Sequence, residues 1–182
     1  CLNGKPVFMH GLLDQGYFPD GIFTPATEKG FENDILAMKE LGFNMLRKHI
    51  KVEPRRWYYH CDRIGMLVWQ DMVSGGQYIG NILAGALPNL SIHVKDNKEN
   101  MYKAFKRDKP EWREEFRQEL WRMIDNLYNS VSICCWVPFN EGWGQFDADR
   151  VYEQFRKLDD TRFVDSTSGW FRQKKTDVDS RH

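Results

Sequence analysis

Two rhythms alternate along the chain. Short, mostly apolar runs that read as strands are followed by stretches in which apolar side chains return every three or four residues, the mark of one helix face. Residues 5–10 (KPVFMH) predict a first strand, and residues 11–25 (GLLDQGYFPDGIFTP), rich in Gly, Asp and Pro, predict a loop. Thr27 is placed to cap a helix in which Phe31, Ile35, Met38 and Leu41 share one face, with Gly42 as its stop. Residues 43–49 (FNMLRKH) predict the second strand. Pro54 then opens a helix that buries Trp57, Cys61 and Ile64 and ends at Gly65. The run MLVWQD at 66–71 predicts the third strand.

The rhythm breaks over residues 72–110, a long insertion containing SGG, LPN and the charged run 95–109, which by default is solvated surface; long segments of this kind in compact domains are usually functional loops or inserts. It resumes with a stripe of Trp112, Phe116, Leu120, Met123, Ile124 and Leu127. A strand at 131–137 (VSICCWV) follows, then a helix capped by Asp147 with Val151, Phe155 and Leu158 inward. A last strand at 162–166 (RFVDS) precedes a polar tail.

Strands separated by helices pair in parallel through right-handed crossovers, so the chain is of the α/β class. A doubly wound open sheet would carry a Gly-rich phosphate loop after its first strand, and GLLDQG does not fit GxGxxG. Polar residues gather instead at the C-terminal ends of several strands: His10 and Asp14, then Arg47 and His49, Asp71, Asn140 and Glu141, and Asp165. That distribution predicts a (β/α)8 TIM-barrel type of fold. The 182 residues hold only about five to six βα units, since a full barrel needs roughly 250 residues. Residues 1–182 are expected to form one partial barrel, with no second domain in this chain.

Composition narrows the function classes. The chain has 26 Lys+Arg and 26 Asp+Glu, a formal net charge of zero, so it lacks the basic excess that nucleic acid or an anionic membrane surface requires. Its 41% hydrophobic content is too high for disorder, and its 29% charged content argues against a membrane span. Cys1, Cys61, Cys134 and Cys135 form no CxxC pair and read as reduced core thiols. No secretion signal follows Cys1, and compartment stays open. The 5 histidines include no HxH spacing, so neither a metal nor another cofactor is expected.

The segment 136–147, WVPFNEGWGQFD, is the most informative for chemistry. A buried strand delivers Asn140 and Glu141 to its carboxyl end, with Trp136 and Trp143 on either side. A carboxyl among aromatic rings is poorly solvated and tends to keep its proton, which suits a general acid. Tryptophan faces stack on sugar rings, and an adjacent amide can bond a sugar hydroxyl. Arg47 and His49 alternate on one face of their strand, with Lys48 opposite. Asp71 is placed to orient Arg47, to contact substrate or simply to cap the turn into the long insertion. Asp14 and Gln15 are candidates by position alone. His10 reads as structural, Trp57, Trp112 and Trp121 as helix packing, and Trp69 as core.

These residues resemble the catalytic barrel of glycoside hydrolase family 2, which includes β-galactosidases, β-glucuronidases and β-mannosidases. Asn129, Ser132, Trp136, Asn140 and Glu141 stand at the spacing of that family's fourth-strand motif. GFNMLRKH resembles its second strand, ending in an active-site arginine, here Arg47. RRWYYHCDRIGMLVW resembles the helix and third strand that follow. The resemblance implies a retaining β-glycosidase with Glu141 as acid/base and Asn140 on the sugar 2-hydroxyl. Arg47 would bind substrate by the same resemblance, and His49, Asp71, Trp143, Asp14 and Gln15 are expected to do so by their positions. It also implies a nucleophile on the seventh barrel strand, absent from this chain, so the chain alone is expected to be inactive. The sequence departs from the family at residues 12–15, Leu-Leu-Asp-Gln in place of Asn-Arg-His-Glu, and at Ile50, where a histidine is common. The competing reading is a non-catalytic carbohydrate-binding module or pseudoenzyme of the same fold. Expected partners are a carbohydrate, the rest of a parent polypeptide and, through unpaired strand edges, another copy of the chain.

Overall fold

A computed structural model describes residues 2–90 and 92–182. The strands are β1 (Gly11–Asp14), β2 (Met45–Lys48), β3 (Leu67–Asp71), β4 (Ile133–Val137) and β5 (Phe163–Val164). All neighbours pair in parallel, and spatial order follows chain order, β1-β2-β3-β4-β5. The helices are α1 (Glu28–Glu40), α2 (Arg55–Ile64), α3 (Leu87–Asn89), α4 (Glu99–Ala104), α5 (Pro110–Leu127) and α6 (Ala148–Leu158). A doubly wound sheet reverses its strand order; this one never does, and it forms the open wall of a β/α barrel.

The core lies between the wall's outer face and the helices. Leu46, Val68, Trp136 and Val164 from the strands meet Ile35, Trp57, Leu120 and Phe155 from α1, α2, α5 and α6, all buried. Each such side chain contributes roughly 1.5–3 kcal/mol through removal from water. Gly65 ends α2 in the left-handed conformation, as its position predicts. Cys61 and Cys135 are buried, Cys134 is half-buried, and all three are free thiols; Cys1 lies outside the described residues.

Several expectations are corrected. The first strand is 11–14, not 5–10: Asn44 holds residues 8–10 through its side chain, donating Nδ2–H to the Phe8 carbonyl (2.8 Å) and accepting His10 N–H (2.8 Å). The ladder itself begins at Gly11↔Met45. Leu41 does not join the apolar face of α1 but is exposed at its C-terminus. Residues 72–110 are not a plain loop, since they contain a π-helical turn (Ile82–Ala86), α3 and α4. The charged run 95–109 is only partly solvated, because Asp96, Phe105 and Arg107 within it are buried. Asp147 precedes α6 but does not cap it; Asp96 reaches in from the insertion and accepts the Ala148 N–H at 2.9 Å.

The register also relocates two candidates. Asp14 pairs with Lys48 and Leu13 with Arg47, so Asp14 faces the helices while Arg47 faces the barrel interior. The Asp14 carboxylate accepts the fully buried Lys48 Nζ at 2.8 Å, and Glu53 accepts the same group at 3.0 Å. A buried ammonium needs such partners. Trp136 likewise turns outward: its indole N–H donates to Asp159 Oδ2 at 2.8 Å inside the core, so it does not flank Glu141. Trp69 is half-buried on the inner face, donating its N–H towards Met9 Sδ at 3.2 Å.

Candidate active site

The site is assembled at the carboxyl ends of β2, β3 and β4. Strand alternation sends Arg47 inward from β2 and Asp71 inward from β3. The Arg47 guanidinium forks onto Asp71, Nε to Oδ1 at 2.9 Å and Nη2 to Oδ2 at 3.0 Å. Its Nη2 also donates to Asn140 Oδ1 at 2.8 Å, tying β2 to the loop after β4. Paired charge-assisted bonds fix the guanidinium plane. The Asp71 side chain is wholly buried; burial pushes its carboxyl upward, while the Arg47 fork and the Ile50 N–H, 3.2 Å away, pull it down.

Two bulky residues beside this knot adopt left-handed backbone. Ile50 has φ 46° and Glu141 has φ 51°. Such conformations cost of order 1–3 kcal/mol each and persist only where the surroundings hold them. Ile50 is held by Asp71, and Glu141 by its N–H to the Ser168 carbonyl at 3.1 Å. The loop after Glu141 is pinned from the insertion: buried Arg107 donates Nε–H to the Gly144 carbonyl at 3.0 Å. A side chain at Gly144, itself at φ 64°, would begin 2.3 Å from the Gly75 carbonyl oxygen.

Glu141 therefore projects into the interior with about a third of its side chain exposed, and Asn140 Nδ2 lies 3.5 Å from its Oε2. The mouth is a cavity of about 420 Å³ whose lining includes His49, Ile50, Tyr78, Asn140, Glu141 and Trp143. The Tyr78 and Trp143 rings lie 5.7 Å apart, inclined at 45°. His49 Nδ1 is 3.5 Å from Gln15 Nε2. Burial lowers the His49 pKa, Asp71 opposes that shift and Arg47 reinforces it.

Of the residues singled out from sequence, Arg47, His49, Asp71, Asn140, Glu141 and Trp143 converge, and Gln15 stands behind His49. Asp14 does not converge with them. Sequence reasoning passed over Tyr78, hidden in an insertion without strand or helix rhythm, and His182, in the polar tail. His182 Nδ1 lies 2.9 Å from Glu141 Oε1. Among the described residues no group of three or more His, Cys, Asp or Glu side chains is arranged to hold a metal, and no helix is long and apolar enough to cross a membrane.

A parallel wall in chain order, with an Asn-Glu pair and a locked arginine at the carboxyl ends of its strands, defines a segment of a TIM-type β/α barrel with its polar site on the usual face. A family model, Glycosyl hydrolases family 2, TIM barrel domain, matches residues 1–181. The chain belongs to glycosyl hydrolase family 2. It is 25% identical over 178 residues to a β-galactosidase of Pectobacterium atrosepticum and 26% identical over 181 residues to one of Klebsiella pneumoniae. Each alignment covers 97% of this chain but 15% of the relative's length. A β-glucuronidase structure from Parabacteroides merdae superposes with TM-score 0.61 at 20% identity, covering 89% of this chain and 18% of that one. A β-galacturonidase structure from Eisenbergiella tayi, bound to galacturonate, gives TM-score 0.62 at 19% identity, with 89% and 26% covered.

Proposed function

We propose that this chain is the acid/base-bearing segment of a retaining β-glycosidase, acting on O-glycosidic bonds by double displacement. The observation that carries the reading is the Arg47–Asp71–Asn140 knot, which sets the Asn140 amide beside a partly exposed Glu141 at the mouth of a cavity. Glu141 protonates the leaving glycosidic oxygen and then takes a proton from the attacking water. Asn140 bonds the sugar 2-hydroxyl, a contact that strengthens as oxocarbenium character grows. Trp143 and Tyr78 offer ring faces on the leaving-group side. Arg47, His49 and Gln15 complete the polar lining. Asp71 acts through Arg47 and not on substrate, and Asp14 belongs to the buried Lys48 pair.

A retaining mechanism requires a second carboxylate about 5–5.5 Å from the first. Two carboxylates at neighbouring strand ends are already engaged, Asp71 with Arg47 and Asp165 with Ser180. In this reading, which follows the family resemblance, the nucleophile is supplied by polypeptide outside these 182 residues, and the chain alone is inactive. This same shortage supports the second reading, a binding module or pseudoenzyme that holds sugar without cleaving it. Partners follow from the same reading: a carbohydrate, the rest of a longer polypeptide and, for the isolated chain, a second copy at the unclosed wall.

The test is Glu141→Gln in the full-length polypeptide, assayed on aryl β-glycosides. With a highly activated leaving group, formation of the glycosyl-enzyme should survive while its hydrolysis slows, because the first step no longer needs an acid. Unchanged turnover on all substrates refutes the assignment. A full-length wild-type protein that binds sugar but releases none supports the second reading.

A further inference from the structure

The tail after β5 returns to the site. Asp177 donates its N–H to the Val164 carbonyl and accepts the Val164 N–H on its side chain, each at 2.9 Å. Ser180 Oγ donates to Asp165 Oδ2 at 2.6 Å and accepts the Gly169 N–H at 3.1 Å. These bonds anchor residues 177–180 along β5 and deliver the His182 ring to Glu141. The seat is shaped for it. Gly169 has φ 89°, and a side chain there would begin 2.5 Å from His182 Nδ1.

The ring's contacts specify its proton. Arg47 Nη1 and Ser168 Oγ each lie 3.4 Å from Nε2. Arginine has only donors, so Nε2 must present its lone pair. The ring hydrogen is then on Nδ1, which lies 2.9 Å from Glu141 Oε1 and donates to it. Glu141, Arg47, His49 and Asp165 surround the imidazole, with Asp71 behind Arg47.

We propose that His182 is a positioning residue for the acid/base: its Nδ1–H donates to Glu141 Oε1 and orients the carboxyl. The inference rests on Glu141 being the acid/base and adds a residue to that role.

The experiment compares His182→Ala, His182→Asn and Glu141→Gln in the full-length glycosidase that carries this chain, with kcat and KM measured separately on an aryl β-glycoside. In His182→Ala the donor to Glu141 Oε1 is lost. Loss of orientation lowers kcat about 10-fold with KM little changed, the scale of one hydrogen bond to a charged group. His182→Asn restores a donor near the Nδ1 position and recovers kcat. Gly169→Ala, which crowds the ring out of its seat, reproduces His182→Ala without touching the imidazole. A kcat unchanged in both His182→Ala and Gly169→Ala overturns the proposal, as does an Asn variant no better than Ala. If Glu141→Gln slows deglycosylation while the His182 variants behave as wild type, only the role of His182 fails. If Glu141→Gln leaves turnover intact, the acid/base reading fails and the inference goes with it.

Discussion

Asp71→Asn isolates the contact on which the site's geometry depends. The substitution keeps the side chain's shape and removes its charge. Asp71 accepts two bonds from Arg47, at 2.9 and 3.0 Å, and one from the Ile50 N–H at 3.2 Å. An amide presents one oxygen, so at least one donor of the three meets an N–H instead of an acceptor. A hydrogen bond to a charged group contributes about 1.5–3 kcal/mol, and an orphaned buried donor costs a further 1–3 kcal/mol or so. The expected loss is about 2–4 kcal/mol. With m near ~2 kcal/mol/M in urea, the unfolding midpoint of the chain falls by roughly 1–2 M, read by tryptophan fluorescence. Arg47→Met and the double variant complete a cycle whose coupling should be about 2 kcal/mol. A midpoint lowered by less than about 0.3 M, or single effects that simply add, would refute the claim that this pair holds the site together.

Two further outcomes follow from buried charge. Lys48→Met strips the cation from between Asp14 and Glu53 and should destabilise the chain by about 3 kcal/mol; adding Glu53→Gln should recover part of that, and no recovery in urea unfolding would contradict the pairing. His49 should titrate by NMR below the ordinary histidine value of about 6.5. Burial is the main cause, ahead of Asp71, which pulls the other way, and Arg47. Because the folded-state value is depressed, the stabilisation it brings is present above the unfolded value and lost as pH falls through the folded one. A midpoint above 6.5 in the NMR titration would contradict this.

Much of this protein is written in local pattern. Alternating apolar runs and helical stripes were enough to predict parallel strands, the four main helices and the strand ends where polar residues collect. The place of Asn140 and Glu141 just past one such end was equally legible, because the apolar run VSICCWV marks the strand that carries them. What pattern did not decide was face and partner. Asp14 looked like a strand-end ligand until the Leu13↔Arg47 register turned it towards Lys48; a shift of one residue exchanges the two faces of a strand. Trp136 looked like a wall of the site until Asp159 claimed its N–H from the core side. Arg47 meets Asp71 and Asn140 across sequence separations of 24 and 93 residues, and meets His182 across 135. The sequence by itself determined the rhythm and the chemical inventory, because periodicity is a property of neighbouring residues. Only the tertiary structure decided which carboxylate faces which cation, because strand register and the return of the tail depend on contacts between residues far apart in the chain.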